Sequence, residues 1–559
     1  MNVNLDAEKR RFILRGVVLL VTSYVFCLVF DPFFFDYQPW ILPLRQIYGC
    51  MLAAGLLFVC VRLKYVGLLV YLVFTMFAAI CFYAYKVFGY SVGFELVNAA
   101  LTTNRHELEG FLNYSLYLAF AGYLIAIPGI YAAAVFCFKW KSISLKRTAH
   151  ILAVALLWIG LYELPPFAVT SRHGLFLKLM DKTMRNNREW FMGGAAVHPD
   201  VVYNRWRLPY SNIKAVHDGI KEYCKELPIQ EAERYTSKEL WEDEQLIIVL
   251  VVGESVRGDH VPAGGYSRNT MPLCTANPNV CFFTKMYSFA ATTHQSVKGL
   301  FAGLVNDKQP TLRTSFAGIL KKHGFVNNLY SEDTENITDS RLFYDIFGRY
   351  MESCTVCRLP IITVADKILK ELPERSANKQ MIVIENGTGH YPYINEDQYD
   401  TYFPCNIDWV APKPPNMREL LINDYDNCII SIDAFCNRLM EGLRDKNAIL
   451  LYVSDHGQSL GEDNKFMHGD NEIELLRHVA SFIWFSDEYG RRHPELVKDI
   501  KSVKDKLLVH GQIYATILKL CGIESEVPLD IGDFINGDVH EVEHNLPKSM
   551  KIPSHGSKK

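Results

Sequence analysis

AILLYVSDHGQSLGEDNKFMHG, residues 448–469, is an apolar Ile/Leu/Val run followed at once by Asp455 and His456, with His468 twelve residues further on. The apolar run reads as a buried strand. An Asp-His pair at its C-terminal edge supplies one hard oxygen and one imidazole, donors suited to zinc with a position left open for substrate. Alone, such a pair is as well read as two charges on a surface loop. A second run, IIVLVV at 247–252, leads straight into Gly253-Glu254-Ser255, so another carboxylate stands at a strand end, where open α/β sheets assemble their sites. MIVI at 381–384 and SFIWFS at 481–486 continue the pattern, and ENGTGHYPY places His390 just after the first of these. Short β-rich runs alternating with helical stretches predict an α/β domain with a mostly parallel central sheet over residues 246–540.

The N-terminal third has a different character. The chain is 559 residues long and 49% hydrophobic, with the apolar residues concentrated in the first 170. Stretches without a charged residue cover 16–30, 46–61, 65–85, 113–138 and 148–162, and with their apolar flanks they predict five membrane-spanning helices in a domain of residues 1–170. The basic residues before the first stretch suggest a signal peptide, but no small-residue cleavage site follows and DPFFFDYQPW reads as an aromatic interface, so an anchor is expected. One set of loops carries Lys9, Arg10, Arg11, Arg15, Arg62, Lys64, Lys139, Lys141, Lys146 and Arg147. The alternate loops hold Lys86 and Arg105, with Arg45 at a membrane edge. Positive charge marks the cytoplasmic side, so five crossings export everything after about residue 170, in a bacterium to the periplasm.

Of fourteen cysteines, nine fall in the exported part, where oxidation is permitted, and the pairs Cys274/Cys281 and Cys354/Cys357 are close enough in sequence for local bridges. A net charge of −3 gives no reason to expect a nucleic-acid partner. The outer loop 89–113 has apolar residues at helical spacing and suits the membrane surface, as does the basic, apolar stretch 175–192 within a linker of 171–245. Residues 541–559, rich in His, Lys, Ser and Pro, read as a polar tail.

SFAATTHQSVKGL, residues 288–300, is small and polar before an apolar stretch, as expected of a loop entering a helix. A hydroxyl there meets free backbone amides, which favour an attached phosphate, and a nearby metal lowers its pKa for attack on phosphorus. Read by themselves, Thr292 and Thr293 are better read as a helix cap than as a nucleophile.

The five apolar stretches followed by GESVRGDH (253–260), GYSRNTMP (265–272), TTHQSV (292–297), GTGHYP (387–392), NDYDNCIISID (423–433) and SDHGQSLG with its later HG, in this order, resemble the phosphoethanolamine transferases of Gram-negative inner membranes. These enzymes belong to the sulfatase-like alkaline phosphatase superfamily. The resemblance runs from the first helix to about residue 490 and implies a five-helix α-helical membrane domain joined to an α/β sulfatase-like domain. It places metal ligands on Glu254, Asp455, His456 and the nucleophile Thr293, whose spacing in Thr293-His294-Gln295-Ser296-Val297 fits the family where Thr292 does not. It gives His390 and His468 to phosphate binding or a second zinc and to proton donation, and Asn98 and Thr102 to the lipid head group.

The resemblance implies zinc as cofactor, with one ion at this cluster and the question of a second left open. Phosphatidylethanolamine would be the donor and lipid A or the lipopolysaccharide core the favoured acceptor, with periplasmic glucan or a protein next. Departures from the family bear on the acceptor: Phe289 and Lys298-Gly299-Leu300 stand where lipid A-modifying subgroups often carry cysteines, and Gln458 replaces a usual Glu. LYSEDTENIT (329–338) lacks the polar element usual near the acceptor, and Glu107 is one place off register. A membrane-tethered phosphodiesterase or sulfatase-like hydrolase demands the same ligands. A glycerophosphate transferase shares the spans and the threonine, though not the GYSRNTMP and NDYDN motifs, and a non-catalytic membrane scaffold would retain the fold alone.

Overall fold

The run at the heart of the metal-site reading, Ala448–Ser454, is one of seven strands in a central sheet. In the computed structural model the described residues are 230–241, 244–305, 313–331, 346–357, 360–372, 378–391, 393, 399–405, 417–462, 465–469, 471 and 473–537, with scattered helical positions between 10 and 157 and at 217, 220 and 221. In chain order the strands are β1 Leu246–Gly253, β2 Val280–Phe282, β3 Val326–Ser331, β4 Ser353–Val356, β5 Lys379–Asn386, β6 Ala448–Ser454 and β7 Ser481–Phe485. They lie side by side as β2-β7-β6-β1-β5-β3-β4.

The five strands β6, β1, β5, β3 and β4 are parallel, and β7 runs antiparallel to both its neighbours. The sheet is therefore mixed, and SFIWFS departs from the expected direction for a simple reason. Among the described residues the connection after β6 holds no α-helix, and Ser481 pairs with Val453, so the chain returns alongside the strand it has just left.

Helices cover both faces. On one face Ile248, Leu250, Val383, Ile449 and Leu451 pack with Val297, Leu300 and Phe301 of α1 (Thr293–Ala302), with Phe316, Ile319 and Leu320 of α2 (Phe316–Lys322), and with Ile513 and Ile517 of a C-terminal helix, Ile513–Leu520. On the other, Tyr330 and Ile384 meet Ile361 and Val364 of α3 (Ile361–Glu371) and Phe435 of α4 (Met417–Leu443) around one small cavity. With both faces covered, β1 and β6 have no reason to alternate polar and apolar residues, which is why they read as continuous hydrophobic runs.

Register brings the strand ends level: Gly253 pairs with Asn386 on one side and Ser454 on the other. The residues that follow, Glu254, Gly387 and Asp455, leave the sheet at one edge. A Cβ on Gly253 would stand 2.2 Å from the Tyr452 hydroxyl, so only glycine admits that ring beside the central strand.

The stretch read as a connector is integral to the catalytic unit. Ser237–Glu239 pairs with Ile523–Ser525, and Ala232 and Tyr235 enter the core. The chain divides into two compact units, with a boundary at Ile220/Lys221. In the N-terminal unit, described positions within all five charge-free stretches are helical. There the Tyr131 hydroxyl donates to the Cys60 carbonyl at 2.9 Å, within a cluster of Leu56, Leu57, Tyr71 and Ile127, while Ile13, Leu69, Ile125 and Leu157 are exposed. Among the described residues no helix is long and apolar enough to cross a membrane. The loop 89–113 with Asn98 and Thr102, the stretch 175–192 and the tail 541–559 lie outside the described residues.

Neither local disulfide forms; Cys274, Cys281, Cys354 and Cys357 are all free thiols. Cys354 is exposed and Cys357 buried, as an odd separation along extended chain requires, because the two side chains leave opposite faces. The Cys274 thiol points at the Asp433 carbonyl, and Cys281 sits on β2.

The NDYDN motif is the device that fastens the surrounding loops to α4. Asn423, Asp426 and Asn427 share one helix face by their spacing. Asp426, fully buried, binds His260 Nδ1 at 2.9 Å, the Tyr266 hydroxyl at 2.7 Å and Arg268 Nη1 at 2.8 Å. Asn427 Oδ1 accepts from the backbone of Thr401 and Tyr402, and Asp433 accepts from the backbone N–H groups of Leu273 and Cys274. Replacing Asp426 with Ala strands three buried or half-buried donors at once. The expected cost is about 3 kcal/mol. Thermal unfolding should show a midpoint lower by roughly 5–10 °C, with Asp426→Asn losing less; an unchanged midpoint in the Ala variant would refute the fastening role.

Candidate active site

Three strand ends and one helix start build the site. Glu254, Asp455 and His456 form a group whose ligand atoms all lie within 4.8 Å of one another, the one such group of three or more His, Cys, Asp or Glu among the described residues. Thr293 is the first residue of α1, and its hydroxyl donates to Glu254 Oε2 at 3.1 Å with His456 Nε2 3.2 Å away. Thr292 precedes it in extended conformation; its hydroxyl caps nothing and is buried without a hydrogen-bond partner. Of the two threonines it is therefore Thr293 that faces the carboxylates.

The group is prepared to receive a cation. Asp455 Oδ1 accepts from the backbone N–H groups of Ser255 at 3.0 Å and His456 at 2.7 Å, while its Oδ2 is buried with no hydrogen-bond partner. His456 donates Nδ1–H to the Gly457 carbonyl at 2.9 Å, which turns the Nε2 lone pair toward Glu254 and Asp455, each 3.3 Å away. Two carboxylates, an imidazole lone pair and a hydroxyl, one oxygen orphaned among them, fit a divalent metal. Burial and the adjacent Glu254 push the Asp455 carboxyl up to about 7, and burial holds His456 below the usual imidazole range. Like charges buried together need a positive partner to coexist.

His468 and His390 complete a cluster of three imidazoles: ring centres of His456 and His468 are 4.1 Å apart, those of His390 and His468 5.9 Å. His390 directs Nδ1–H at the Tyr391 carbonyl, 2.6 Å away. Burial, with His456 and His390 as neighbours, holds His468 well below the usual range. Among the described residues three non-glycine residues adopt left-handed backbone: Ser255 at φ 63° next to Glu254, Met467 at φ 70° next to His468, and Tyr393 at φ 59° three residues beyond His390. Each costs on the order of 1–3 kcal/mol and is held by its surroundings.

Those surroundings include residues that sequence reasoning did not single out. His510, fully buried, donates Nε2–H to the Ser454 carbonyl and accepts at Nδ1 from the Phe289 N–H, tying β6 to the loop before Thr293; burial lowers its pKa to about 3, so it stays neutral. Asn471 accepts from the Ala291 N–H at 2.7 Å and Arg477 clamps the Ser288 carbonyl, so the segment after His468 holds the loop before Thr293. Buried Arg257 pairs with Asp259 and Glu462 and donates to the Gln458 carbonyl. None of these carries a spacing that marks it in the sequence; their partners come from distant segments.

Comparison with known proteins shows what the chain as a whole is similar to. The sulfatase family model matches residues 247–523, and that of phosphoethanolamine transferase EptA/EptB matches residues 50–187. The Kdo(2)-lipid A phosphoethanolamine 7''-transferase of Salmonella typhimurium is 26% identical over 314 residues, 53% of this chain and 55% of that protein, so the match spans about half the relative's length. The phosphatidylethanolamine transferase Mcr-1 of Escherichia coli is 24% identical over 519 residues, 88% of this chain and 89% of its own. Among solved structures, the integral membrane protein lipooligosaccharide phosphoethanolamine transferase A of Neisseria meningitidis shares the fold, with a TM-score of 0.69 at 18% identity over 91% of this chain and 96% of that one.

Metal loading needs Asp455 as the carboxylate. With that carboxyl at about 7 in the metal-free site, one proton competes below that pH, and affinity for a divalent cation should fall about tenfold for each further unit of acidification. A raised carboxyl pKa also means that stability of the metal-free fold, present in acid, is lost as pH rises toward about 7. Asp455→Asn should therefore abolish tight metal binding while raising the metal-free unfolding temperature. Chelator competition and thermal scans of the two proteins read both effects, and pH-independent affinity in the wild type would contradict the assignment.

Proposed function

We propose that the chain is a phosphoethanolamine transferase of the alkaline phosphatase superfamily and that it moves phosphoethanolamine from phosphatidylethanolamine, through Thr293, to lipid A or the lipopolysaccharide core. The observation that carries this reading is the Thr293 hydroxyl, set at a helix N-terminus and bonded to Glu254 beside His456. A hydroxyl so placed can attack phosphorus, and the first-turn amides of α1 receive the anion it acquires.

Glu254, Asp455, His456 and Thr293 would hold zinc, which when bound supplies Lewis acidity toward the phosphoryl oxygens and lowers the pKa of the nucleophile. In the first half-reaction the bond from Thr293 Oγ1 to phosphorus forms and the bond from phosphorus to the diacylglycerol oxygen breaks. The threonine proton ends on that oxygen. His468 is suited to carry it, because its Nδ1–H is engaged by Gln458 at 2.9 Å and Nε2 keeps a lone pair to receive and return a proton. The second half-reaction reverses the roles: the acceptor oxygen bonds to phosphorus, the threonine ester breaks, and the acceptor's proton returns to Thr293. His390 lies beside His468, ring centres 5.9 Å apart, and is assigned with it to the transferred phosphoryl group.

The donor is a lipid whose scissile bond lies at head-group level, which gives the N-terminal unit its purpose. Apolar side chains exposed on its helical positions, among them Ile125 at 77% and Leu69 at 64%, support five spans in a bacterial inner membrane with the catalytic unit in the periplasm. Asn98 and Thr102, in the outer loop, are assigned to the lipid head group.

Intact-peptide mass spectrometry on zinc-loaded full-length protein incubated with phosphatidylethanolamine and no acceptor tests this directly. A phosphoethanolamine adduct on Thr293 is expected, and turnover in Thr293→Ala should fall by at least about a thousandfold. Free phosphoethanolamine accumulating without acceptor would identify a hydrolase instead. Absence of both products with metal bound would refute the donor.

A further inference from the structure

Gln458 is almost fully buried, and its side chain is where three segments of the site meet. Its Oε1 lies 2.9 Å from His468 Nδ1, its Nε2 donates to Met467 Sδ at 3.4 Å, and it is hydrogen-bonded to Tyr393. Met467 and Tyr393 are two of the three residues held in left-handed backbone. Its own main chain cannot drift: Arg257 donates to the Gln458 carbonyl, and a Cβ on the preceding Gly457 would stand 2.1 Å from the Leu475 carbonyl oxygen.

We propose that Gln458 is a positioning residue that fixes the ring tautomer of His468 and so decides which nitrogen faces the Thr293 cluster. The amide orientation is set by the Met467 thioether, which can only accept a hydrogen bond and so takes the NH2 group. That leaves the carbonyl for His468, and a carbonyl only accepts. Nδ1 therefore carries the hydrogen and Nε2 the lone pair. Turned the other way, His468 would present an N–H to the cluster and could not take up a proton from Thr293. The same contact locks the ring's orientation at 4.1 Å from His456, and the thioether contact holds the strained residue that precedes it.

Two substitutions separate this role from packing. Methionine nearly matches glutamine in length and volume but cannot accept a hydrogen bond, whereas glutamate accepts through the same position. Measured as the rate of Thr293 labelling by phosphatidylethanolamine, Q458M should lose about 10- to 100-fold in kcat with KM little changed, and Q458E should retain most of the wild-type rate. Equal losses in both, or a fully active Q458M, would overturn the inference. These kinetics rest on the transferase reading; a second measurement does not. Nitrogen-15 spectra of histidine-labelled full-length protein, with His468 assigned by its loss in H468N, should show Nδ1 protonated and Nε2 bare in the wild type. The opposite tautomer overturns the inference whatever the substrate, and failure of the wild type to label with phosphatidylethanolamine overturns the transferase reading alone.

Discussion

Everything at the catalytic edge depends on Asp455 being buried with one oxygen pinned and the other left over. Two backbone N–H groups hold Oδ1, and Oδ2 looks into a space shared with Glu254, His456 and Thr293. In a fold built only for stability such a carboxylate would be paired or absent, because an unpaired buried charge beside another carboxylate is among the costliest arrangements a protein can hold. The cost is relieved when the carboxyl takes up a proton, as its pKa of about 7 allows, or when a cation occupies the space. The tautomer of His456, the position of the Thr293 hydroxyl and the level ends of three parallel strands all follow from delivering donors to that point.

Delivery requires rigidity, and it is supplied from a distance. Tyr425 of α4 accepts from the Arg257 N–H and donates to the Ser255 carbonyl, reaching under the turn that carries Glu254. A Cβ on Gly389 would meet the Glu254 carbonyl oxygen at 2.1 Å, so the loop leading to His390 lies directly against the same turn. Residues in left-handed backbone flank Glu254 and His468, and strain of that kind persists only where neighbours over-determine the geometry. The polar helix face of NDYDN, His510 and Arg257 are those neighbours. They place other residues without touching a reacting atom.

How much of this is legible in the sequence follows from locality. IIVLVV, MIVI and AILLYV are visible because both faces of the sheet are covered, and the ligands are visible because they follow those runs directly. VNNLYS, which forms β3, is not: Asn327 and Asn328 interrupt its apolar pattern, and only the fold reveals that Asn327 donates to the Ala317 and Tyr350 carbonyls and that Asn328 accepts from Ser353. β2 and β4 are three- and four-residue edge segments with too little pattern to read. The direction of β7 depends on where a 26-residue connection goes, residues 455–480, and composition does not encode that. His510 and Asn471 act through partners that tertiary structure alone brings near, so no spacing could mark them, whereas Gln458 is marked in the sequence by its motif and only its contacts with His468 and Met467 wait for the fold.

The same locality explains why the nucleophile loop holds its shape with free thiols throughout the described part of the catalytic unit. A Cβ on Gly299 would stand 2.5 Å from the Phe289 Cβ, so the phenylalanine lies directly against α1. Ser288 and Ser296 both donate to the Ala290 carbonyl, Asn471 accepts from Ala291, His510 accepts from Phe289, and Arg477 donates twice to Ser288. A cross-link acts chiefly by restricting the unfolded chain, whereas these contacts act on the folded loop itself. Because Asn471 and Arg477 follow His468 in the chain, they tie the loop before Thr293 to the histidine segment as well as to the sheet. The geometry of the Thr293 loop is thus coupled to that of His468, which a local bridge beside Thr293 would not achieve.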